Sequence, residues 1–576
     1  MRRIVPILVI AVLAVVAFLV YNTTRPAQSG SQGGAVSLQN PDPADWPMGR
    51  RSYDGFGYSP LSKLTKDNVG QLEFSWSTAL GQGAVAATPI VAGGVLYLPQ
   101  PNDTVEAFDA KTGDRLWIYA RQLPKDVDAN QLYVQRTARN LAIFGDKVYH
   151  ATSDGYVIAL EAKTGKLAWE TQVGDYKQMA QVSGPLIVGG KVITGRACGA
   201  GLGQGCFIVA HDATSGAEAW KTSLVPKGND AGWGDLPDEK RQQAGAWLTG
   251  SYDPELDLMF WGTSVPLPLA ESARGTGSAD LSYTNSTLAL KPDTGEIVWS
   301  FQHLPRDNWG MDHAYERIVA SVEVSPDASA VRWVSPKLTA GETRKVITGI
   351  PGKTGLLYTL DAKTGEFLWA RETVSQNVIS DLDKETGKPT LNEAVVPKAG
   401  SSVGVCPSRL GGKNWASAAY NPDQKVLFIP LVNACMEATV SGDAVEGTLK
   451  PAASDAGNLG VLEAISASTG KTLWRFTQPA PLSSVLATGG GLVFVGDANR
   501  RFSAFDAQSG ERLWDTALSG PVTGTPITYA VGDKQFVAVT LGGGTDLEEL
   551  LTLTPNLRPG AGGNALFVFA LPDENQ

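Results

Sequence analysis

Seven copies of one short motif constrain the fold of this chain more than any other feature. Each copy has a small residue at the end of an apolar run, then a turn that usually carries Asp and Thr/Ser-Gly, and a tryptophan four residues after that glycine. The tryptophans are Trp117, Trp169, Trp220, Trp299, Trp369, Trp474 and Trp514. Self-similarity with a period of roughly 40 to 50 residues is typical of a propeller or a repeat array.

Each copy of the motif predicts a β-hairpin that ends in a large flat ring. The run from Tyr156 to Leu160 has the β-branched and aromatic bias of a strand, and the glycine segment after it supplies a turn. One blade cannot bury an indole alone, so we expect each ring to pack against the neighbouring blade. With Trp76 as an eighth position, and with strand 565–571 placed to close the ring with N-terminal strands, we predict an all-β fold, an eight-bladed β-propeller with tryptophan-docking repeats.

Composition agrees with one large β domain and argues against a nucleic-acid partner. The 576 residues include 64 Gly and 34 Pro, as expected of a turn-rich chain. The net charge is −10, and the sequence has no run of Lys and Arg. Because phosphate binding needs clustered cations, we expect no nucleic acid among the partners.

The N-terminus predicts export. Arg2 and Arg3 precede an apolar run from Ile4 to Val20, which is the charged-then-apolar order of a secretory signal. The run is longer than a typical signal core and just short of a comfortable membrane span, so residues 1–21 are either a signal peptide or a membrane anchor. Residues 22–44 have the composition of a flexible linker, and the propeller is expected over 45–576. The globular part is therefore expected in the periplasm, with a possible tether to the inner membrane.

Four cysteines fit an exported chain. An even number predicts two disulfides, most simply Cys198 with Cys206 and Cys406 with Cys435, although three connectivities are possible. The sequence has no Cys-x-x-Cys-His motif and therefore no covalent c-type haem. Any redox role would need a separate electron acceptor.

Several motifs, taken together, resemble the quinoprotein alcohol dehydrogenases. They are the tryptophan repeats, the opening Asp45–Gly49, the block Ser251–Leu258 and the segment Gly411–Trp415. The resemblance covers essentially the whole chain from about Trp46 to Leu571. It implies a periplasmic propeller that uses pyrroloquinoline quinone (PQQ). It also implies oxidation of an alcohol to the carbonyl compound, with electrons passing to a soluble cytochrome c or another acceptor.

The resemblance also assigns the residues that contact the cofactor. Trp247 matches the indole that forms one wall of the quinone site, although the residues alone would also allow a core or docking tryptophan. Arg139 and Lys353 match the basic contacts and Asn414 the amide donor, while Thr152 is expected as a hydroxyl contact. For Lys353, the sequence without the resemblance would favour a solvated turn lysine.

Two departures from the family concern the metal and the second face of the quinone. The family holds a calcium or lanthanide ion through Glu, Asn and an Asp that also acts as the base, and the matching positions here are Gly201, Val265 and Gly310. None of these side chains carries an oxygen. Asp312 matches an additional acidic ligand of lanthanide-type members and is interpreted as the base, a metal ligand or a turn residue. The family's adjacent cysteine pair is absent from the matching stretch Tyr133–Arg136.

Asp312 is the first candidate for the general base, followed by Glu316 and then His313. The glycines at positions 201 and 310 are expected to enlarge the pocket, which favours larger or secondary alcohols over methanol. Two alternatives stay open. One is a non-catalytic propeller, resembling outer-membrane assembly lipoproteins, that acts as a binding or assembly scaffold. The other is a quinoprotein scaffold that has lost its metal and activity and binds a ligand or partner.

Overall fold

A computed structural model of the protein describes residues 36–125, 138–180, 183–198, 206–228, 231–557, 559–560 and 562–573. Strands predominate in these ranges, which confirms the all-β prediction. The α-helices described are α1 (Glu271–Arg274) and α2 (Thr545–Leu551), and the 3-10 helices are Val69–Gln71, Pro101–Asp103, Ala231–Trp233, Asp238–Lys240, Glu393–Val395 and Asp455–Gly457. Neither α-helix has the length and hydropathy that a membrane crossing requires. The predicted leader and most of the predicted linker lie outside the described residues.

Eight of the sheets within the described ranges have at least four strands, and four of the strands in each follow one another antiparallel, as in a propeller blade. We name them sheets A to H. Sheet A contains Ile90–Ala92, Val95–Gln100, Thr104–Asp109 and Arg115–Ala120, and sheet B contains Ala142–Phe144, Lys147–Ala151, Tyr156–Glu161 and Leu167–Gln172. Sheet C contains Leu186–Val188, Lys191–Gly195, Phe207–Asp212 and Glu218–Ser223, and sheet D contains Ser251–Asp253, Leu258–Gly262, Ser286–Leu290 and Ile297–Gln302.

The second half of the chain continues the same pattern. Sheet E contains Ile318–Val324, Glu342–Gly349, Leu356–Asp361, Phe367–Glu372 and Trp333–Val334, and sheet F contains Ala419–Asn421, Val426–Val432, Gly460–Ser466 and Thr472–Gln478. Sheet G contains Leu482–Thr488, Leu492–Asp497, Arg501–Asp506 and Arg512–Ala517, with Tyr58–Ser59 added in parallel. Sheet H contains Ile527–Val531, Lys534–Leu541, Ala565–Ala570 and Glu73–Ala79.

Smaller sheets occupy the connections between the blades. The paired strands are Val85–Thr88 with Ala138–Asn140, Met179–Ala180 with Ala197–Cys198, Gln242–Gln243 with Pro266–Leu267, and Ile379–Leu382 with Pro389–Leu391. A three-stranded sheet contains Ser402–Val405, Ala434–Ser441 and Ala444–Pro451.

Sheet H joins the two ends of the domain. Its strand Glu73–Ala79 pairs antiparallel with Ala565–Ala570, so that Glu73 lies opposite Ala570. The expectation that the final strand pairs with an N-terminal strand is confirmed. This pairing removes a free edge, which would otherwise present unpaired backbone groups to other chains.

The repeated tryptophans lie between successive sheets, as predicted. The indole Nε1 of Trp117 in sheet A donates to the carbonyl of Ala162 beside sheet B at 2.9 Å. Trp169 in sheet B makes the same bond to the carbonyl of Ala213 beside sheet C at 3.0 Å. These two rings are therefore each fixed by one polar contact and pack their apolar faces against the next blade.

The glycine of each motif lies beneath the tryptophan of the preceding blade. Gly165 has φ of +70°, and a β-carbon there would lie 2.4 Å from the ring of Trp117. Gly216 stands in the same relation to Trp169, at 2.6 Å. Only glycine combines this left-handed backbone with so close an approach. The glycine and the tryptophan of the repeat are thus two halves of one contact between neighbouring blades.

The connections at one end of the sheets position the functional residues. The segments around residues 85, 139, 247, 312 and 414 each precede the first strand of a sheet, and those around 264 and 353 each follow the second strand. First strands begin at the end of the sheet where second strands finish, because the two are antiparallel. Side chains from distant parts of the sequence therefore meet at this end.

Candidate active site

One cavity of about 420 Å³ lies at this end of the sheets. A volume of this size is typical of sites that bind small molecules. Five of the six predicted site residues line it: Arg139, Trp247, Asp312, Lys353 and Asn414. They come from five separate connections, so the fold brings together residues that the sequence spreads over 276 positions from 139 to 414.

Arg139 lies over two indole rings. Its guanidinium carbon is 5.3 Å from the ring centre of Trp247 and 5.1 Å from that of Trp415. Both distances are within the range of cation–π attraction. Two aromatic surfaces and one fixed positive charge are therefore presented to the same cavity.

The Trp247 ring is held on its edges by polar and aromatic neighbours. Its Nε1 donates to Ser264 Oγ at 3.3 Å, and the ring of Tyr315 contacts it edge-on, with ring centres 5.4 Å apart. Burial, together with the negative charges of Asp312 and Asp546, raises the pKa of Tyr315 well above its usual value. The Tyr315 hydroxyl therefore stays protonated and donates to Asn414 Oδ1 at 3.1 Å.

Asp312 is paired with a lysine at the cavity wall. The Lys353 ammonium donates to Asp312 Oδ2 at 2.7 Å and to the carbonyl of Gly310 at 3.3 Å. The other oxygen, Asp312 Oδ1, accepts the hydroxyl of Ser264. The side chains of Lys353 and Asp312 are only 10% and 16% exposed, so solvent screens this pair weakly. Lys353 therefore lines the cavity and is not a solvated turn residue.

Asn414 is fixed by a second lysine–carboxylate pair behind the cavity wall. The fully buried Lys413 donates to Glu316 Oε2 at 2.7 Å and to the backbone carbonyl of Asn414 at 3.0 Å. Burial lowers the pKa of Lys413, while the charge of Glu316 opposes that effect. The pair anchors the connection that carries Asn414 and Trp415.

The other predicted residues do not line this cavity. Thr152 Oγ1 donates to Asp154 Oδ1 at 2.5 Å and accepts from the backbone of Tyr156, so its hydroxyl is used inside its own turn. Glu316 faces Lys413 and the backbone N–H of Ala418. His313 Nδ1 lies 2.7 Å from the Met311 carbonyl, and burial lowers the pKa of His313 to about 3. Among the three candidates for the base, Asp312 alone lines the cavity.

One side of the cavity is apolar and is covered by helix α2. Leu410, Val432, Leu482, Leu547 and Leu550 contribute to this side. The helix is tied to the body of the domain by Glu549, which accepts from Arg409 Nη2 at 2.6 and 2.7 Å. A substrate that enters here would meet hydrocarbon surface beside the polar group of Asp312 and Lys353.

Sequence reasoning missed several residues of the cavity. Ser264 and Trp415 directly adjoin positions that were singled out, Val265 and Asn414, and could have been found by extending those motifs by one residue. Tyr315 does not line the cavity but contacts two residues that do, and it had no signal of its own because these partners lie 68 and 99 residues away in the sequence, at Trp247 and Asn414. Cys198 also lines the cavity.

Both predicted disulfides are present, Cys198 with Cys206 and Cys406 with Cys435. The first disulfide lies at the cavity wall, because Cys198 lines the cavity. The stretch Tyr133–Arg136, where the family's cysteine pair would lie, is outside the described residues.

The oxygen donors expected for calcium or a lanthanide are scarce at this site. Val265 lines the cavity with a hydrocarbon side chain, and Gly310 offers only backbone, with φ of +80°. Gly201 lies outside the described residues. Within the described ranges, no three side chains of His, Cys, Asp or Glu come close enough together to hold a metal ion. The remaining candidate ligand, Asp312, is already paired with an ammonium group.

Comparisons with known proteins agree with the geometry. Residues 46–390 match the family model of the β-propeller domain of glucose, ethanol and alcohol dehydrogenases, designated PQQ, and residues 458–547 match the model of the outer membrane protein assembly factor BamB. The quinoprotein alcohol dehydrogenase PedH of Pseudomonas putida is 34% identical over 562 residues, which cover 90% of each chain. The 1-butanol dehydrogenase (cytochrome c) of Thauera butanivorans is 30% identical over 560 residues, 90% of this chain and 77% of the relative.

Solved structures give the same result. A europium-containing methanol dehydrogenase superposes with a TM-score of 0.81 at 26% identity, covering 92% of this chain and 98% of that one. The quinohemoprotein alcohol dehydrogenase of Comamonas testosteroni superposes with a TM-score of 0.80 at 27% identity, covering 92% and 82%. The chain belongs to the family of PQQ-dependent quinoprotein alcohol dehydrogenases.

Proposed function

We propose that this protein oxidises an alcohol to the corresponding carbonyl compound, with PQQ bound in the cavity between Arg139, Trp247, Lys353 and Asn414. The observation that carries the proposal is the grouping of two cations and two indoles around one cavity of about 420 Å³. PQQ is flat and carries several carboxylates, so aromatic surfaces and fixed cations are the groups that suit it. The residues present therefore fit this cofactor.

When bound, PQQ would supply a quinone that accepts the hydride of the alcohol, and with it the two electrons of the oxidation. Arg139 is already held over Trp247 and Trp415, so binding an anionic group would cost little of its side-chain conformational entropy. Lys353 offers a positive charge beside the same space. Asn414 is oriented by its bonds to Tyr315 and to the backbone of Trp415, which fixes its amide for hydrogen bonding.

The proton of the alcohol would be taken by Asp312. Its carboxylate lines the cavity, and Ser264 and Lys353 fix the positions of both oxygens. A general base must lie within hydrogen-bonding reach of the proton it removes, and of the three candidates only Asp312 lines the cavity in which the alcohol would bind. The neighbouring ammonium of Lys353 would stabilise the negative charge that develops on the alcohol oxygen.

The substrate is proposed to be a larger or secondary alcohol. The apolar side of the cavity, with Leu410, Leu482, Leu547 and Leu550, favours hydrocarbon groups over water. At position 310 an added β-carbon would make ordinary van der Waals contacts, at 3.4 Å with Leu269 and 3.8 Å with Arg409, so a larger side chain there would occupy space that the glycine leaves unfilled. Methanol would use little of this surface.

Electrons are proposed to pass to a separate carrier in the periplasm, a soluble cytochrome c or another acceptor. The Thauera butanivorans relative is a 1-butanol dehydrogenase (cytochrome c), which supports this class of acceptor. Residues 1–21 are proposed as the export signal or as an anchor in the inner membrane, and residues 22–44 as the linker to the propeller at 45–576.

An anaerobic titration of the purified protein with PQQ, followed by dye reduction on a panel of primary and secondary alcohols, tests the proposal. We expect saturable binding, quenching of tryptophan fluorescence, and dye reduction that is faster with bulky alcohols than with methanol. Binding without alcohol-dependent reduction would favour the scaffold that has lost activity. Absence of PQQ binding would overturn the proposal and favour the non-catalytic propeller.

A further inference from the structure

The family's metal position has a different chemical character in this chain. Calcium and lanthanide ions take about six to eight oxygen ligands, mostly from carboxylates and carbonyls. Val265 and Gly310 supply no side-chain oxygen, and the segment 199–205, outside the described residues, contains no carboxylate and only Gln204 as a side chain with oxygen. The donors present therefore do not fit a calcium or lanthanide ion.

The oxygens of Asp312 are already engaged. Oδ2 is 2.7 Å from the Lys353 ammonium, and Oδ1 accepts from Ser264. A metal ion at Asp312 would have to displace an ammonium that also donates to the Gly310 carbonyl at 3.3 Å. Because the two side chains are 10% and 16% exposed, an expelled ammonium would be left beside the metal in a poorly screened place.

The backbone fixes the pair from both sides. The N–H of Lys353 donates to the carbonyl of Asp312 at 3.1 Å, so the two connections are joined directly at these residues. This backbone hydrogen bond holds the two connections together, so it keeps the side chains of Lys353 and Asp312 close to each other.

The charges of the cavity wall point the same way. The charged residues that line it in the described part are Arg139, Lys353 and Arg409 against Asp312 and Asp546, and Arg409 is paired with Glu549. With that carboxylate included, positive and negative charges balance. The wall therefore has no excess of negative charge that would hold a free divalent or trivalent cation.

We infer that the ammonium group of Lys353, held by Asp312, takes the place of the metal ion in this chain, so that PQQ binding requires neither calcium nor a lanthanide. This inference rests on the proposed function, since it concerns how the same cavity holds PQQ. Lys353 then neutralises the carboxylate of Asp312 and presents a positive charge to the anionic cofactor without a metal ion beside it.

Metal content and PQQ affinity, measured separately, test the inference. The full-length protein is stripped with EDTA, and its binding of calcium and lanthanum is measured by calorimetry before and after loading with PQQ. PQQ affinity is then measured by fluorescence quenching in EDTA, in calcium and in lanthanum. We expect no stoichiometric metal in the loaded protein by mass spectrometry and PQQ affinities that agree within about twofold.

Either of two outcomes overturns the inference while leaving the proposed function intact. One is the binding of one metal ion per chain, and the other is a PQQ affinity that rises at least about tenfold with metal, which corresponds to one charge-assisted hydrogen bond or more. Absence of PQQ binding in every condition would instead remove the proposed function, and the inference with it.

Variants at Lys353 test its role directly. Lys353→Met keeps the length of the side chain but removes the charge, and we expect PQQ affinity to fall about 10- to 100-fold. Lys353→Arg keeps the charge and should lose less. The matched control is Lys534→Met, which removes an exposed ammonium 2.8 Å from Asp573 and should leave PQQ binding unchanged. Unchanged affinity in a folded Lys353→Met protein would overturn the inference.

Discussion

The contacts between the blades and the cavity at one end of the blades are built from different parts of each sheet. The first use the third and fourth strands and the turn between them, and the second uses the connections that precede the first strand or follow the second. Between the blades one contact is repeated, with Trp117 on Gly165 and Trp169 on Gly216. At the cavity the contacts are not repeated, since Arg139, Asp312 and their partners each come from a different connection. A repeated apolar contact adds stability in increments, whereas a set of single polar contacts creates one site. Mutations should therefore separate stability from function.

The largest effect is expected for Asp312→Asn, which removes the proposed base from the cavity and leaves the inter-blade contacts intact. Asparagine keeps the size, and its one amide oxygen can still accept from Lys353 while its NH₂ group faces the hydroxyl oxygen of Ser264, but it cannot take the proton of the alcohol. We expect kcat to fall about 10²- to 10⁴-fold, the range attributed to general-base catalysis. The variant also leaves the poorly exposed Lys353 ammonium without its carboxylate, so some unfolding free energy is lost as well, and denaturant unfolding measures that loss separately. Dye reduction at saturating PQQ measures the loss of kcat.

The matched control for this variant is Asp533→Asn, which changes an exposed carboxylate that pairs with Lys63 at 3.2 Å. Its kcat should equal that of the unchanged protein. If Asp312→Asn retained kcat within about threefold, a gain far below general-base catalysis, another group would have to act as the base.

Lys413→Met is expected to affect stability and function together, because Lys413 joins the scaffold to the cavity wall. Its removal leaves Glu316 buried without its hydrogen-bonded cation, and breaking a buried pair in this way costs about 3–5 kcal/mol of unfolding free energy. Asn414 also loses a bond to its carbonyl, so PQQ affinity should fall as well. Denaturant unfolding and fluorescence titration measure the two effects.

An exposed pair of the same type provides the control. Lys450 donates to Glu437 at 2.8 Å, with side chains 53% and 37% exposed, and Lys450→Met should cost no more than about 1 kcal/mol. If Lys413→Met and Lys450→Met lost equal unfolding free energy, the burial of the Lys413–Glu316 pair would add nothing to its contribution to stability.

Gly165→Ala should weaken one inter-blade contact without changing PQQ affinity. The new β-carbon would lie 2.4 Å from the ring of Trp117, and such overpacking costs about 1–3 kcal/mol. Gly145→Ala is the matched control, because Gly145 also has positive φ, +61°, but has no atom within 4 Å of the added carbon. Both variants bear the cost of the left-handed backbone, so the difference between their unfolding free energies isolates the collision. A difference near zero would contradict the proposed contact.

The repeated part of the molecule was predictable because each copy of the motif records the same contact. The spacing of glycine and tryptophan predicted the hairpins and their packing against the next blade. The last strand predicted the partner of the N-terminal strand. These features depend on short-range patterns that recur, so one interpretation applies to all copies.

The site was predictable only in part because its contacts join distant connections. The resemblance placed Arg139, Trp247, Asp312, Lys353 and Asn414, and all five line one cavity. No local pattern could show that Lys353 pairs with Asp312, since the two lie on different connections. Thr152 has the right residue type beside a repeat, but its hydroxyl is satisfied by Asp154 and Tyr156 within the same turn.

The smallest effect concerns pH and the scaffold. Burial, reinforced by the positive charges of Arg196 and Lys221, lowers the pKa of His211 in sheet C to about 4. In the unfolded chain His211 would bind a proton at about pH 6.5, its usual pKa, whereas in the folded chain it binds that proton only at about pH 4. The contribution of neutral His211 to the unfolding free energy is therefore complete above about pH 6.5, and it is lost as the pH falls from about 6.5 to about 4. Between about pH 7 and pH 5.5, one such histidine should cost about 1 kcal/mol.

His211→Leu tests this assignment, because neither ring nitrogen of His211 has a hydrogen-bond partner in the described structure and leucine leaves no buried polar group behind. When denaturant unfolding is compared at about pH 7 and about pH 5.5, the unfolding free energy of the variant should fall by about 1 kcal/mol less than that of the unchanged protein. His313, whose pKa burial lowers to about 3, has the same sign and remains in both proteins, so it cancels from the difference. An identical pH dependence in the two proteins would contradict this assignment, because the acid sensitivity would then come from groups other than His211.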